Sequence, residues 1–288
     1  MTGPIIDAST PAERENVDRV LAFCTDVLGK RDPVAVADHV AADFVQHNPF
    51  YGTGRDGLAQ FLTGPLLTAC PDLTPTAELA IAQRDRVLVY LIWRGRHAAT
   101  GATVDFGTAD LYRLRNGRLA EHWDVVEWHE LAPIGFPRPP HDQPTAEPDP
   151  AGTEAQQANL ALLRRYTDEV TVQDYSRAHL FIRRDFVQHD PMIPPGLDGF
   201  KACCDIFRGM AEDMHVVVRH LIVGTDHVGA IWDWTGHQDG TGAPVLVPTS
   251  DVYRLEAGLL TEHWDRIDYT FVTAVLGYNP KQFALGGQ

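Results

Sequence analysis

The residues best suited to acid–base chemistry in this chain occur twice. Residues 43–49 read Asp-Phe-Val-Gln-His-Asn-Pro and residues 185–191 read Asp-Phe-Val-Gln-His-Asp-Pro. A second motif, Asp110-Leu-Tyr-Arg-Leu, returns as Asp251-Val-Tyr-Arg-Leu, and a third, Glu121-His-Trp-Asp, returns as Glu262-His-Trp-Asp. Each copy thus offers a His in a turn (His47, His189), an Asp two residues before a Tyr (Asp110 with Tyr112, Asp251 with Tyr253) and a His two residues before an Asp (His122 with Asp124, His263 with Asp265). Such pairs can hold a carboxyl at a raised pKa beside a hydrogen-bond donor, which is what a general base needs near neutral pH. The turn differs in one respect. Asp190 can take a proton, whereas Asn48 can hydrogen-bond a substrate oxygen but cannot act as a base. The competing reading is structural: a histidine braces a strand end, and an Asp before proline caps a turn.

Proline biases the residue before it toward extended backbone, so each heptapeptide is expected to be a strand ending in a turn. In residues 110–114, alternation places Asp110, Tyr112 and Leu114 on one face; in the next strand His122 and Asp124 share a face, opposite Glu121 and Trp123. Arg113 is expected in a surface ion pair and Glu121 at a solvated strand edge. Upstream, Thr10-Pro-Ala-Glu13 and Thr153-Glu-Ala-Gln156 are capping-box starts of amphipathic helices. A short helix is expected from Pro33 to about Val40, and a third near Leu58. From about Leu73 the period becomes alternating, with Val87, Val89, Leu91 and Trp93 on one side of a strand and Asn116-Gly117 as a hairpin turn. Helices followed by a run of antiparallel strands make an α+β fold.

The duplication keeps register: 189 − 47 is 142, while 263 − 122 and 251 − 110 are both 141. Of 13 histidines only two pairs coincide under it, His47 with His189 and His122 with His263. Between the copies lie seven prolines, at 133, 137, 139, 140, 144, 148 and 150. We therefore expect a first domain over 1–132, a stiff extended linker over 133–152 and a second domain over 153–288.

With 24 Lys+Arg against 39 Asp+Glu and a formal charge of −15, the chain repels phosphate backbones and anionic lipid, so neither nucleic acid nor a membrane is an expected partner. The start has neither a basic region nor an apolar run, and Cys24, Cys70, Cys203 and Cys204 show no zinc-ligand spacing. A cytoplasmic protein with reduced thiols is the expectation. No metal is expected: His122 and Asp124 supply two ligand types, and a third would have to come from elsewhere. There is no glycine-rich phosphate loop and no nucleophile elbow. Trp93, Trp123, Trp232, Trp234 and Trp264 could line an aromatic cavity, with Trp93 and Trp234 at matching places, although large aromatics more often serve the core.

The Phe-Val-Gln-His-Asn-Pro turn, the Asp-x-Tyr-Arg-Leu strand, the Asn-Gly hairpin and Glu-His-Trp-Asp together resemble SnoaL-like polyketide cyclases of the nuclear transport factor 2-like superfamily, over nearly the whole chain. The resemblance implies two tandem cones, each a curved antiparallel sheet wrapped round N-terminal helices with a pocket inside. It also implies cofactor-independent proton abstraction on a mostly apolar carbonyl metabolite, leading to cyclisation or isomerisation. The superfamily also contains hydrolases that open epoxides and plain small-molecule binders. Asp190 before its proline is similar to the base dipeptide of ketosteroid isomerases, though His189 stands where those have an acidic residue. For a cyclase the candidate bases are Asp124 and Asp265, or Asp110 and Asp251, with Tyr112 or Tyr253 as enolate donors. Relatives that pair through their sheets imply an intramolecular pseudo-dimer.

Overall fold

Thr10 and Glu13 make the reciprocal bonds of a capping box: Glu13 N–H donates to the Thr10 hydroxyl, and the Glu13 carboxylate accepts from the backbone N–H of Thr10 and Ser9. Its other oxygen accepts from Arg84 N–H at 2.8 Å, which ties the helix start to a turn far along the chain. Thr153 and Gln156 repeat the box, and Gln156 Nε2 reaches Val223 O at 2.9 Å.

The computed structural model describes residues 3–140, 152–171, 175–190, 193–209 and 211–276. The chain divides into two compact units, Met1–Pro144 and Thr145–Gln288. The first contains β1 (Ile5–Asp7), α1 (Pro11–Phe23, closed by a widened turn at Cys24–Gly29), α2 (Val36–His39), β2 (Val40–Gln46), α3 (Gly54–Phe61), α4 (Pro65–Ala69), β3 (Thr74–Gln83), β4 (Arg86–Arg96), β5 (Thr103–Arg115), β6 (Arg118–Val126) and α5 (Trp128–Leu131). The second contains α6 (Glu154–Tyr166), β7 (Ile182–Gln188), α7 (Gly196–Arg208), β8 (His215–Val223), β9 (His227–His237), β10 (Pro244–Glu256), β11 (Leu259–Ile267) and α8 (Thr270–Leu276).

The sheets run β1-β3-β4-β5-β6-β2 and β7-β11-β10-β9-β8. Four long strands in each are antiparallel, as the alternation predicts. Three edge strands are not: β1 joins β3, β2 joins β6 and β7 joins β11 in parallel, while the fourth edge, β8, is antiparallel. An edge strand that arrives from a helix, rather than through a hairpin, is free to run either way. Register shifts between Ala77 and Leu79 and between Arg113 and Leu114 interrupt the ladders, and bulges of this kind bend a sheet. Each domain is a cone-like α+β unit and neither sheet closes into a barrel.

Asn116 and Gly117 turn β5 into β6 at φ 53° and 72°, the left-handed values that favour these two residues. Gly57 is held to glycine by space, since a Cβ there would lie 2.6 Å from the Gly52 carbonyl carbon. Inside the first cone Val17, Val20 and Phe23 of α1 meet Val87, Val89, Leu91 and Trp93 of β4; inside the second Leu160, Leu163 and Tyr166 of α6 meet Val228, Ala230, Trp232 and Trp234 of β9. The expected linker does not start extended: Ala132–Ile134 forms a tight helical turn, and Ile134 and Phe136 pack on the first core. Residues 141–151 of it lie outside the described residues, as does Pro191.

Candidate active sites

Strand alternation and pairing bring the acid–base residues together. Across β5 and β6 Asp110 faces Asp124 and Tyr112 faces His122; across β10 and β11 Asp251 faces Asp265 and Tyr253 faces His263. The parallel partner β2 delivers Gln46 opposite His122, and β7 delivers Gln188 opposite His263.

In the first domain these side chains form one continuous chain of hydrogen bonds. Trp93 Nε1 donates to Thr108 Oγ1 at 3.3 Å, which donates to Asp110 Oδ2 at 2.5 Å. Asp110 Oδ1 meets His122 Nε2 at 2.9 Å, and His122 Nδ1 meets Gln46 Oε1 at 2.9 Å. Gln46 Oε1 also accepts Asn48 N–H at 3.0 Å, and that backbone bond fixes which end of the amide faces the ring. Asn48 Nδ2 then donates to both oxygens of Asp124, at 2.9 and 2.8 Å, while its Oδ1 accepts from Phe50 N–H. Every acid–base atom in this set has a partner.

The second domain keeps the framework and changes three links. His263 Nε2 meets Asp251 Oδ1 at 2.7 Å. Gln188 Oε1 again accepts the backbone N–H two residues on, but here its Nε2 faces His263 Nδ1 at 2.9 Å. Nδ1 is therefore the acceptor, and the ring hydrogen sits on Nε2 toward Asp251. Thr249, the counterpart of Thr108, turns its hydroxyl to Val247 O instead, and Asp251 Oδ2 is buried without a partner. Asp190 takes the place of Asn48 and is hydrogen-bonded to Asp265. Two carboxyl groups can share such a bond only if one is protonated. Asp265 Oδ2 has no hydrogen-bond partner and lies 3.7 Å from His263 Nδ1. Burial, then the charges of Asp190 and Asp251, push Asp265 well above the usual carboxylate range, with Arg266 opposing.

Both constellations open on small internal cavities. The first, about 10 Å³, is lined by Asp110, Tyr112, His122, Gln46, Tyr51 and Trp93 among others. The second, about 30 Å³, is lined by Asp251, Tyr253, His263, Asp265, Trp234 and Cys203 among others. Room on this scale holds a water or two. Tyr112 and Tyr253 stack on His122 and His263 at ring separations of 4.5 and 4.4 Å, and burial pushes both phenols up, so they stand as donors. The same cause keeps Cys203 a thiol.

A family model described as SnoaL-like polyketide cyclase matches residues 18–132, and one described as SnoaL-like domain matches residues 163–263. The chain is a tandem of two SnoaL-like domains. Solved structures similar to it include three proteins assigned as polyketide cyclases. That from Bacillus cereus is 19% identical, with 47% of this chain and 91% of that chain covered and a TM-score of 0.42. IdmH from Streptomyces antibioticus is 23% identical, with 42% and 98% covered and a TM-score of 0.38. The Jannaschia protein is 22% identical, with 46% and 100% covered and a TM-score of 0.39. No curated protein matches the chain significantly.

Not every residue singled out in the sequence reaches a SnoaL-like cavity. His47 and His189 lie on the other face of β6 and β11, stacked on Trp123 and Trp264 at 4.8 and 4.2 Å and bonded to Glu121 and Glu262 at 2.9 Å. Glu121 and Glu262 also hold Arg113 and Arg254, so Arg113 is in the ion pair expected of it, while Glu121 is its half-buried partner rather than a solvated strand edge. Asn48 and Asp190 stand behind Asp124 and Asp265. Gln46, Gln188 and Thr108 belong to the sites and were not singled out, whereas Trp232 does line the second cavity, as an aromatic wall would. Gln46 had a visible signal, since Gln recurs in both heptapeptides on the face of Asn48 and Asp190.

The ligand-type atoms of Asp110, His122 and Asp124 lie within 4.8 Å of one another, as do those of Asp251, His263 and Asp265. Pairing across two strands makes this grouping, which local spacing cannot reveal. The first set has all its donor atoms engaged in hydrogen bonds, an arrangement suited to holding protons rather than a cation.

Proposed function

We propose that the protein is a cyclase- or isomerase-type enzyme of the SnoaL-like kind, acting on a mostly apolar carbonyl compound, and that the second domain performs the proton abstraction. The observation that carries this reading is Asp265. It is 2% exposed, lines the cavity with a partnerless oxygen, and is bonded behind to Asp190. A carboxyl so placed holds its proton above the usual carboxylate range and, once ionised, is a stronger base than an exposed Asp.

In the proposed step the Asp265 carboxylate takes a proton from the carbon α to the substrate carbonyl. The C–H electron pair moves to the carbonyl oxygen as an enolate, and Asp265 leaves the step protonated. The enolate carbon then attacks a second carbonyl in the same molecule, whose oxygen takes the proton back from Asp265, or in isomerisation Asp265 returns the proton to another carbon of the conjugated system. Asp190 accepts a hydrogen bond from the protonated Asp265, and the Asp251–His263 pair fixes the ring against which Tyr253 stacks. The first domain, with Asn48 amide hydrogens on both oxygens of Asp124, holds the same carboxylate as an acceptor only.

Incubation of the protein with activated 1,3-diketones and β-keto esters in deuterated water tests this, read by loss of the α-proton signal. Catalysed exchange, lost in Asp265→Asn, is the expected result. Bound compounds returned without exchange would make the protein a binding module. One observation favours a second reading. A cavity of about 30 Å³ beside two partnerless carboxylate oxygens is a place for a water, as epoxide hydrolysis would need. Incorporation of labelled water oxygen into an opened epoxide would select that reading.

A further inference from the structure

Among the described residues Trp232 borders both the Asp265 cavity and a larger one. On β9 it pairs across to Thr249, is 1% exposed, and its Nε1–H has no hydrogen-bond partner. A buried N–H left unmet is costly and calls for an acceptor. The second cavity measures about 230 Å³; Leu163, Val216, Val218 and Leu221 give it apolar walls, with Arg164 and Asp168 among its polar lining. In the first domain the offset puts Leu91 at this place (232 − 141 = 91), a side chain with no donor, and Ala77 and Ala80 stand for Val218 and Leu221. The donor belongs to the second copy, where the carboxyl pair is.

We propose that Trp232 joins the two cavities into one substrate site. The apolar body of the substrate occupies the chamber between α6 and β8, its carbonyl oxygen accepts the Trp232 indole hydrogen bond, and its α-carbon faces Asp265. This rests on the proton-abstraction reading above and adds to it the oxyanion donor and the size of the substrate. When the α-proton passes to Asp265, negative charge develops on the carbonyl oxygen. A donor already fixed by packing stabilises that charge without having to reorganise. Since a dry cavity of about 150 Å³ accepts benzene, the chamber takes one ring or two fused rings.

The test uses the full-length protein with 15N-labelled indoles and two probes of one shape, the ketone 1-tetralone and the hydrocarbon tetralin. The Trp232 resonance is assigned by its disappearance in Trp232→Phe. Both probes are expected to bind, and only the ketone should move the Trp232 N–H signal downfield. Trp232→Phe should keep tetralin affinity within about twofold and slow α-hydrogen exchange of tetralone by roughly tenfold or more. Trp232→Leu, which installs the first domain's residue, should slow exchange likewise. Leu221→Trp, which fills the chamber, should abolish binding of both. An unmoved indole signal with tetralone bound, failure of both probes to bind, or unchanged binding in Leu221→Trp would each overturn the proposal. If Asp265→Asn abolishes exchange while Trp232→Phe exchanges at the wild-type rate, the donor assignment alone fails. If exchange survives Asp265→Asn, the proton-abstraction reading fails, whatever the indole reports.

Discussion

Beside the paired carboxyls the two sites differ in one side chain: an amide at Asn48, a carboxyl at Asp190. Against Asp124 the amide nitrogen donates to both oxygens; against Asp265 the carboxyl must share a proton. Asp190→Asn rebuilds the first domain's arrangement in the second. It should therefore shift the acid limb of the kcat/KM profile to lower pH, because a neighbouring negative charge is replaced by donors. A limb that stays in place would show that Asp190 does not tune Asp265. The same residue carries a stability consequence. A carboxyl whose folded pKa is raised contributes stability that is present below the ordinary carboxylate range and is lost as pH rises through the raised value. Asp265→Asn should accordingly raise the melting temperature at neutral pH while lowering turnover by about a hundredfold or more. Lower stability together with lower turnover would make Asp265 a structural residue. The Asn-to-Asp difference was legible in the sequence. Its meaning was not, because the partner carboxyl lies on another strand 75 residues away (265 − 190 = 75).

At the level of elements, the capping boxes, the Asn-Gly hairpin and the apolar face of β4 follow from local rules that act within a few residues, and all were readable. The parallel edge strands were not, since β2 and β7 join the sheets through contacts distant in sequence. Those edges decide the site, for they deliver Gln46 and Gln188 to the histidines. Glu13 shows how helix and sheet are tied: one carboxylate serves the helix start and the other oxygen takes the Arg84 amide. Glu13→Ala leaves these N–H groups unmet and should lower unfolding free energy by about 2 kcal/mol, whereas Thr10→Ala should cost about 1 kcal/mol. Urea titration with an unchanged slope measures both. A smaller loss for Glu13→Ala than for Thr10→Ala would mean that the Arg84 tie contributes nothing.

The whole molecule combines two SnoaL-like domains, and no described helix is long and apolar enough to cross a membrane. We propose that the halves associate as a pseudo-dimer, since a tether holds them at high effective concentration. After cleavage near Pro144 they should still co-elute in gel filtration; two freely separating fragments would contradict this. Exhaustive chelation should leave turnover intact, and loss restored by one added metal would instead make the Asp–His–Asp cluster a metal site. The central claim is that the duplicated sites divide their roles, with the proton moved in the second domain. The most direct measurement compares Asp265→Asn with Asp124→Asn in the same full-length chain, by α-hydrogen exchange of a bound ketone in deuterated water. The account predicts exchange lost about a hundredfold or more in Asp265→Asn and retained in Asp124→Asn. Exchange retained in Asp265→Asn and lost in Asp124→Asn would place the chemistry in the first domain and contradict it.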